Sequence, residues 1–211
     1  LRPRESISWD NFLRETPKAS IAFDGYVLGG PNYDEESAHA NFDHHDGVVR
    51  EATMSTTMQT MYGIKGGIVP SFLRKSEDGK IHLWMNDTDQ DSTLAFLLLD
   101  RYKLFEGANS VPSINRLVEL INRMDITGGC YPMNLDEQVV MQRNWLFTPY
   151  NELRKSGKLA QADAIILRDN LEAMGERFNK FLMGQAGETE LDTRHEIIYQ
   201  SLNGWWLVNE I

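Results

Sequence analysis

The chain has 211 residues, of which 41% are hydrophobic and 25% charged, with 21 Lys and Arg against 31 Asp and Glu and a formal net charge of -10. This composition excludes disordered, collagenous and fibrous chains, and at this length folding hides roughly 70% of the unfolded surface, enough for a core without covalent staples. It also argues against attachment to nucleic acid by unspecific charge attraction, which requires a basic face.

The first six residues, Leu1 to Ser6, include two arginines but no apolar stretch after them, so they do not read as a secretory signal. From Ser20 to about Met85 short β-prone pieces alternate with Gly and Asp, and Ser20–Phe23 and Lys80–Trp84 are expected to be strands ending in polar loops. Between them a helix is expected over Ala52–Met61, stopping near Gly63, with Gly66–Gly67 and Pro70 closing the following loop. The second strand runs through Asn86–Asp91 into an apolar segment, Leu94–Phe105, a strand–loop–helix connection of the kind that places ligands at the carboxyl ends of strands. The longest apolar run, Leu94–Leu99, is about a quarter to a third of a bilayer crossing, so no membrane span is expected.

Beyond Gly107 the pattern turns helical. Ser110 and Pro112 open a helix carrying Ile114, Leu117, Val118 and Ile121 and ending at Asp125 before Gly128–Gly129. Cys130 follows; alone it allows no intramolecular disulfide, which favours a reducing, cytoplasmic compartment, and with no cysteine-nucleophile signature around it a buried structural thiol is the expected role. Leu135–Trp145 is a second helix. The third begins near Leu159, with Leu167, Leu171, Met174, Phe178, Phe181 and Leu182 at intervals of three and four. His195–Gln200 and Trp205–Val208 flank Asn203–Gly204 and predict a terminal β-hairpin. The expected fold is α/β: a mostly parallel sheet with flanking helices over residues 1–108, then a helix-rich region over 109–211 ending in the hairpin, with the two regions sharing one body or forming two.

Two clusters carry the chemistry. His39, His44 and His45 lie within seven residues, and between Asp34 and Glu51 six acids accompany one basic residue, Arg50. Imidazole mixed with carboxylate suits Mn, Zn or Fe better than Ca, and a divalent ion is the simplest compensation for so many like charges. The alternative is a solvated acidic loop with incidental histidines. In the second cluster Asp87, Asp89 and Asp91 occupy every second position, so a loop can converge them on one cation. An EF-hand is excluded, because Ser92 and Leu98 stand where Gly and Glu are required. Asp91, just before Ser92–Thr93–Leu94, reads equally well as a helix cap. Asp24 follows the apolar strand and precedes Gly25, either a turn former or a side chain projecting from the strand end. Asp125, between a helix and Gly128–Gly129, is similarly open. No phosphate-binding P-loop, Gly-x-Ser-x-Gly or His-Glu-x-x-His occurs.

Phe42-Asp43-His44-His45 resembles the signature of the DHH phosphoesterase superfamily. Phe23-Asp24-Gly25 through Pro31-Asn32-Tyr33-Asp34 is similar to the stretch that precedes it there, and Asp89-Gln90-Asp91-Ser92-Thr93-Leu94-Ala95 to its Asp-x-Asp element. The resemblance covers residues 20–105. Two departures accompany it: the Asp-x-Asp element follows the Asp-His-His instead of preceding it, and the histidine usual four residues before its first Asp is Met85. The resemblance implies hydrolysis of phosphoester or phosphoanhydride bonds with a pair of divalent metals, usually manganese. His44 would ligate metal, with Asp43 beside it in the catalytic signature, and His45 would meet the substrate phosphate. Asp24 would bridge metals, while Asp89 and Asp91, with Asp87 beside them, would complete the site.

The expected function is therefore a divalent-metal hydrolase of a small phosphorylated molecule or nucleotide. One alternative is a ligand-binding or regulatory protein that retains part of such a site. Another is a structural subunit, a homo-oligomer among its forms, assembling through Met- and Trp-rich surfaces.

Overall fold

The computed structural model describes residues 1–129, 134 and 136–190 and the backbone of two terminal strands, residues 196–200 and 206–210. Cys130, Leu135 and the Asn203–Gly204 dipeptide, each given a role above, lie outside the described residues.

Ser8 opens the first helix, α1 (Trp9–Glu15), by accepting the amide of Asn11. No element is expected here from the sequence, although Trp9, Phe12 and Leu13 stand at helical spacing; the run is only seven residues long and buries Phe12 alone. Four strands, β1 (Ser20–Phe23), β2 (Asn32–Asp34), β3 (His39–Phe42) and β4 (His82–Trp84), form one mixed sheet in the order β2-β3-β1-β4. β1 lies parallel to both neighbours, with Phe23 opposite Phe42 and Ala22 opposite Trp84, and β2 runs antiparallel at one edge. The mostly parallel sheet is thus as expected, although the strand read over Lys80–Trp84 covers only its last three residues.

β1 is central and buried at all four positions, the uninterrupted pattern of a parallel strand covered on both faces. Alternation divides its side chains: Ile21 and Phe23 enter the main core, while Ala22 meets Phe12, Tyr26 and Val27 on the face that α1 covers. His39 belongs to β3, where its ring contacts Ser37 Oγ at 2.8 Å and Thr16 Oγ1 at 3.0 Å, apart from the other two histidines of its cluster.

The helix read over Ala52–Met61 divides into a 3-10 turn at Arg50–Ala52 and α2 (Thr56–Lys65), whose cap Ser55 accepts the amide of Met58. α2 continues through Gly63, a residue that costs a helix only about 1 kcal/mol. The expected loop at Gly66–Pro70 is instead the start of α3 (Ile68–Lys75), reached through Gly67 at φ +83°. Pro70 is tolerated because it sits in the first turn, where the amide it lacks has no helical acceptor.

α4 (Gln90–Asp100) begins four residues before Leu94, and α5 (Pro112–Ile126) carries Pro at its first position. α6 (Gln138–Leu146), α7 (Thr148–Lys155) and α8 (Ala164–Leu182) follow, the last capped by Asp163, which accepts the amides of Ile165 and Ile166. β5 (Glu196–Gln200) and β6 (Trp206–Glu210) pair antiparallel. One apolar core joins Ile21, Phe23, Leu94 and Leu98 to Ile114, Leu117, Phe147 and Phe178, so residues on both sides of position 108 share it. Among the described residues no helix is long and apolar enough to cross a membrane.

Candidate metal centre

The three parallel strands deliver their acids and histidines at one edge of the sheet. β1 ends in Asp24, β3 ends in Asp43-His44-His45, and β4 runs into the loop that starts α4 at Asp89. This is the carboxyl end of the strands, where open α/β sheets bind ligands.

Asp24 takes a left-handed backbone, φ +50°, a conformation that favours Gly but that Asp tolerates better than most residues. The turn aims its carboxylate inward. Oδ1 lies 3.1 Å from His45 Nδ1 and 3.5 Å from His44 Nε2, and the two oxygens accept from Thr56 Oγ1 at 3.3 Å and Ser92 Oγ at 3.1 Å. Burial alone would raise its pKa, yet the two imidazoles outweigh burial and hold it below the usual carboxylate range.

Asp43 organises the loop. Its Oδ1 accepts the amides of His44 and His45 at 2.6 and 3.0 Å and contacts His45 Nδ1 at 2.8 Å, while Oδ2 accepts the amide of Gly25 at 3.2 Å. With both oxygens occupied in this way, the carboxylate fixes the two histidines and orients the His45 ring. Asp24 and then Asp43 hold the His45 imidazole up at about 10, against burial.

His44 is fully buried, and three carboxylates from three elements converge on its Nε2. Asp125 Oδ2 stands at 2.6 Å, Asp24 Oδ1 at 3.5 Å and Asp91 Oδ2 at 3.6 Å. Neither ring nitrogen has a partner in hydrogen-bonding direction despite this crowding. Burial pushes the imidazole toward neutrality, but Asp125 and Asp24 overcome it and raise the pKa to about 9.

Both Asp89 and Asp91 are expected at the metal site, with a helix cap as the alternative for Asp91, and the cap is Asp89. Asp89 is the N-cap of α4, its Oδ1 accepting the amide of Ser92 at 2.8 Å. Asp91, the second residue of the helix, instead receives the amides of Thr56 and Thr57 at 2.6 and 2.8 Å, the free N-terminal donors of α2. Burial, then the charges of Asp24 and Asp125, still push Asp91 up to about 7. Asp89 is raised as well, by burial and then by Asp24 and Asp91. Asp87 sits at the margin: Oδ1 accepts the amide of Thr88 at 2.7 Å and Oδ2 the Tyr150 hydroxyl at 2.8 Å.

Ligand atoms close enough to share an ion form two groups among the described residues: Asp24, His44 and His45; and His44, Asp91 and Asp125. These Asp and His side chains, Asp24, His44 and Asp91 buried among them, could hold a metal ion. Asp24, His44, His45 and Asp91 were expected at such a site and are brought together. Asp43 supports the loop behind them, and Asp87 and Asp89 belong to neither group. Asp125 was left open by the sequence and joins the second group from the last turn of α5, which packs against α2 and α4. Its only sequence signal is an acid closing an apolar helix before two glycines. Asn122, one turn earlier, accepts the amide of Ser55 at 2.9 Å and ties α5 to the start of α2.

Comparison with protein-family models, with curated proteins and with solved structures finds no match.

Proposed function

We propose that the chain is a divalent-metal-dependent hydrolase of phosphoester or phosphoanhydride bonds in a small phosphorylated molecule or nucleotide, of the DHH phosphoesterase kind and working with manganese. The observation that carries this reading is the surroundings of His44 Nε2, where three carboxylate oxygens lie within 3.6 Å and none meets it in hydrogen-bonding direction. Two buried carboxylates, Asp24 and Asp91, and the partly exposed Asp125 repel one another, and a divalent cation that accepts oxygen and nitrogen ligands together is the simplest compensation.

In this reading His44, Asp91 and Asp125 would hold one ion, Asp24 would serve that ion and a second, and Asp89 would support the set from the start of α4. A pair of such ions polarises phosphoryl oxygens and lowers the pKa of a bound water from near 16 toward 7, which makes hydroxide available as nucleophile. His45 is the most exposed member, its side chain 42% accessible, and its Nδ1 is taken by Asp43 and Asp24. Nε2 is then the atom left to bind a phosphate oxygen and to stabilise charge that develops there. Asp43 keeps that ring in place and touches no substrate.

The test is metal analysis of wild type and His44→Ala, combined with hydrolysis of nucleotide and phosphomonoester substrates in manganese. Wild type should bind two ions per chain and turn over; the variant should keep its circular dichroism and lose both. Turnover retained in His44→Ala defeats the proposal. One observation favours the second reading, a binding protein without turnover: Met85, at the position of the superfamily histidine, is packed in the apolar core and offers no ligand. Metal-free protein that binds nucleotide without cleaving it would support that reading instead.

A further inference from the structure

Arg50 stands at the edge of the cluster, and among the described residues its guanidinium has one acid partner. Its Nη2 lies 3.4 Å from Asp125 Oδ2, a long contact, and its Nε is buried with no acceptor, although the side chain as a whole is 37% exposed. Among the described residues it is the basic side chain paired with the acids of the centre. A single long contact at a half-exposed site contributes little to stability, so stability does not account for a guanidinium placed there.

We infer that Arg50 binds the substrate, and that the substrate's reacting group is a terminal phosphoryl, a monoester or the end of an anhydride chain, in preference to an internal diester. This rests on the two-ion reading above. Among the described residues Asp125 is the only acid that Arg50 contacts, and it is also a ligand in that reading. Once Asp125 directs its charge to a cation, the guanidinium, anchored at its buried Nε, would be left beside the centre with its fork of donors unspent. A planar fork of this kind suits phosphate oxygens. Counting oxygens decides the class. A phosphoryl group lodged on two ions gives one oxygen to each. A diester has no further free oxygen, whereas a terminal phosphoryl keeps a third, and that third oxygen is the one Arg50 would receive.

The test is calorimetric and reads binding: inorganic phosphate carries no ester bond to cleave, and the esters are read from the heat of the first injections at low temperature. Manganese is titrated into the metal-free full chain of wild type, Arg50→Ala and Arg50→Lys, and then inorganic phosphate, phenyl phosphate and diphenyl phosphate are titrated into each manganese-loaded protein. The expected result is unchanged manganese binding, phosphate and phenyl phosphate weakened roughly tenfold to a hundredfold in Arg50→Ala, partial recovery in Arg50→Lys, and diphenyl phosphate little affected. Manganese bound normally with phosphate affinity equal to wild type overturns the role of Arg50 and leaves the hydrolase reading standing. Equal losses for phenyl and diphenyl phosphate overturn the terminal-phosphoryl class. Wild type that binds no manganese overturns both the hydrolase reading and this inference.

Discussion

Asp125 Oδ2 lies 2.6 Å from His44 Nε2, joining the last turn of α5 to the loop that leaves β3. The contact spans two layers of the fold, since His44 hangs from the sheet and Asp125 from a helix packed over α2 and α4. Substitution at Asp125 should therefore act on the cluster far more than on the core. Asp125→Asn removes a charge but keeps an oxygen, and the position is partly exposed at a helix end. We expect manganese affinity to fall at least about tenfold, with the urea midpoint of the metal-free protein little changed, measured by calorimetry and denaturation.

Ion binding should stabilise the native state by mass action. With free manganese at about 100 times its dissociation constant, the gain is about 2.7 kcal/mol, or roughly 5–10 °C in Tm for a chain of this size. Differential scanning fluorimetry after chelator treatment, with and without manganese, measures it. His44→Ala should show no such shift, because His44 belongs to both candidate ligand groups.

His39 predicts a pH dependence separate from the candidate metal ligands. Its ring packs edge-on against Phe12, with centroids 5.2 Å apart, and burial lowers its pKa below the ordinary value of 6.5. The folded protein thus disfavours the protonated ring. This contribution to stability is complete above pH 6.5 and is lost as pH falls toward the lowered folded value. The stability difference between wild type and His39→Gln should consequently shrink between about pH 7.5 and about pH 5 in urea titrations. A difference that grows toward acid pH would show the assignment to be wrong.

Gly175 lies within α8 facing α4, and a methyl group added there would meet Leu97 Cδ2 at 3.6 Å, an ordinary contact distance. Its backbone is helical, so alanine is compatible. Gly175→Ala should raise stability by about 0.5–1 kcal/mol, seen as a Tm higher by about 1–4 °C. At Gly63 the same change is poor by comparison, because its methyl would approach Phe42 Cζ to 3.1 Å.

What the sequence exposed and what it hid follow from how far each signal reaches along the chain. Asp24 was visible because an apolar run, Ile21-Ala22-Phe23, switches abruptly to an acid and a glycine, which marks the end of a buried strand wherever it occurs. The pairing of Asp43 with His44 and His45 was visible as a local cluster. β3 was hidden because its residues are polar by type yet satisfied in place: Asn41 Nδ2 donates to the carbonyls of Gly29 and Gly30 at 3.0 and 3.1 Å, which no periodicity records. Asp91 was open to reading as the cap of its own helix because no local pattern shows that the amides of α2, over thirty positions earlier, stand opposite its side chain. Asp125 was hidden most completely, since only the packing of α5 brings it to the strand ends.

The ligand set also has a mechanical side. An ion held by His44 and Asp125 would be a removable rivet driven through the sheet and the helical layer above it, at the point where Asn122 already fastens α5 to α2. Pulling the rivet should loosen α5 before it disturbs β1, so amide exchange after chelation would speed up along Pro112–Ile126 while the central strand stays protected.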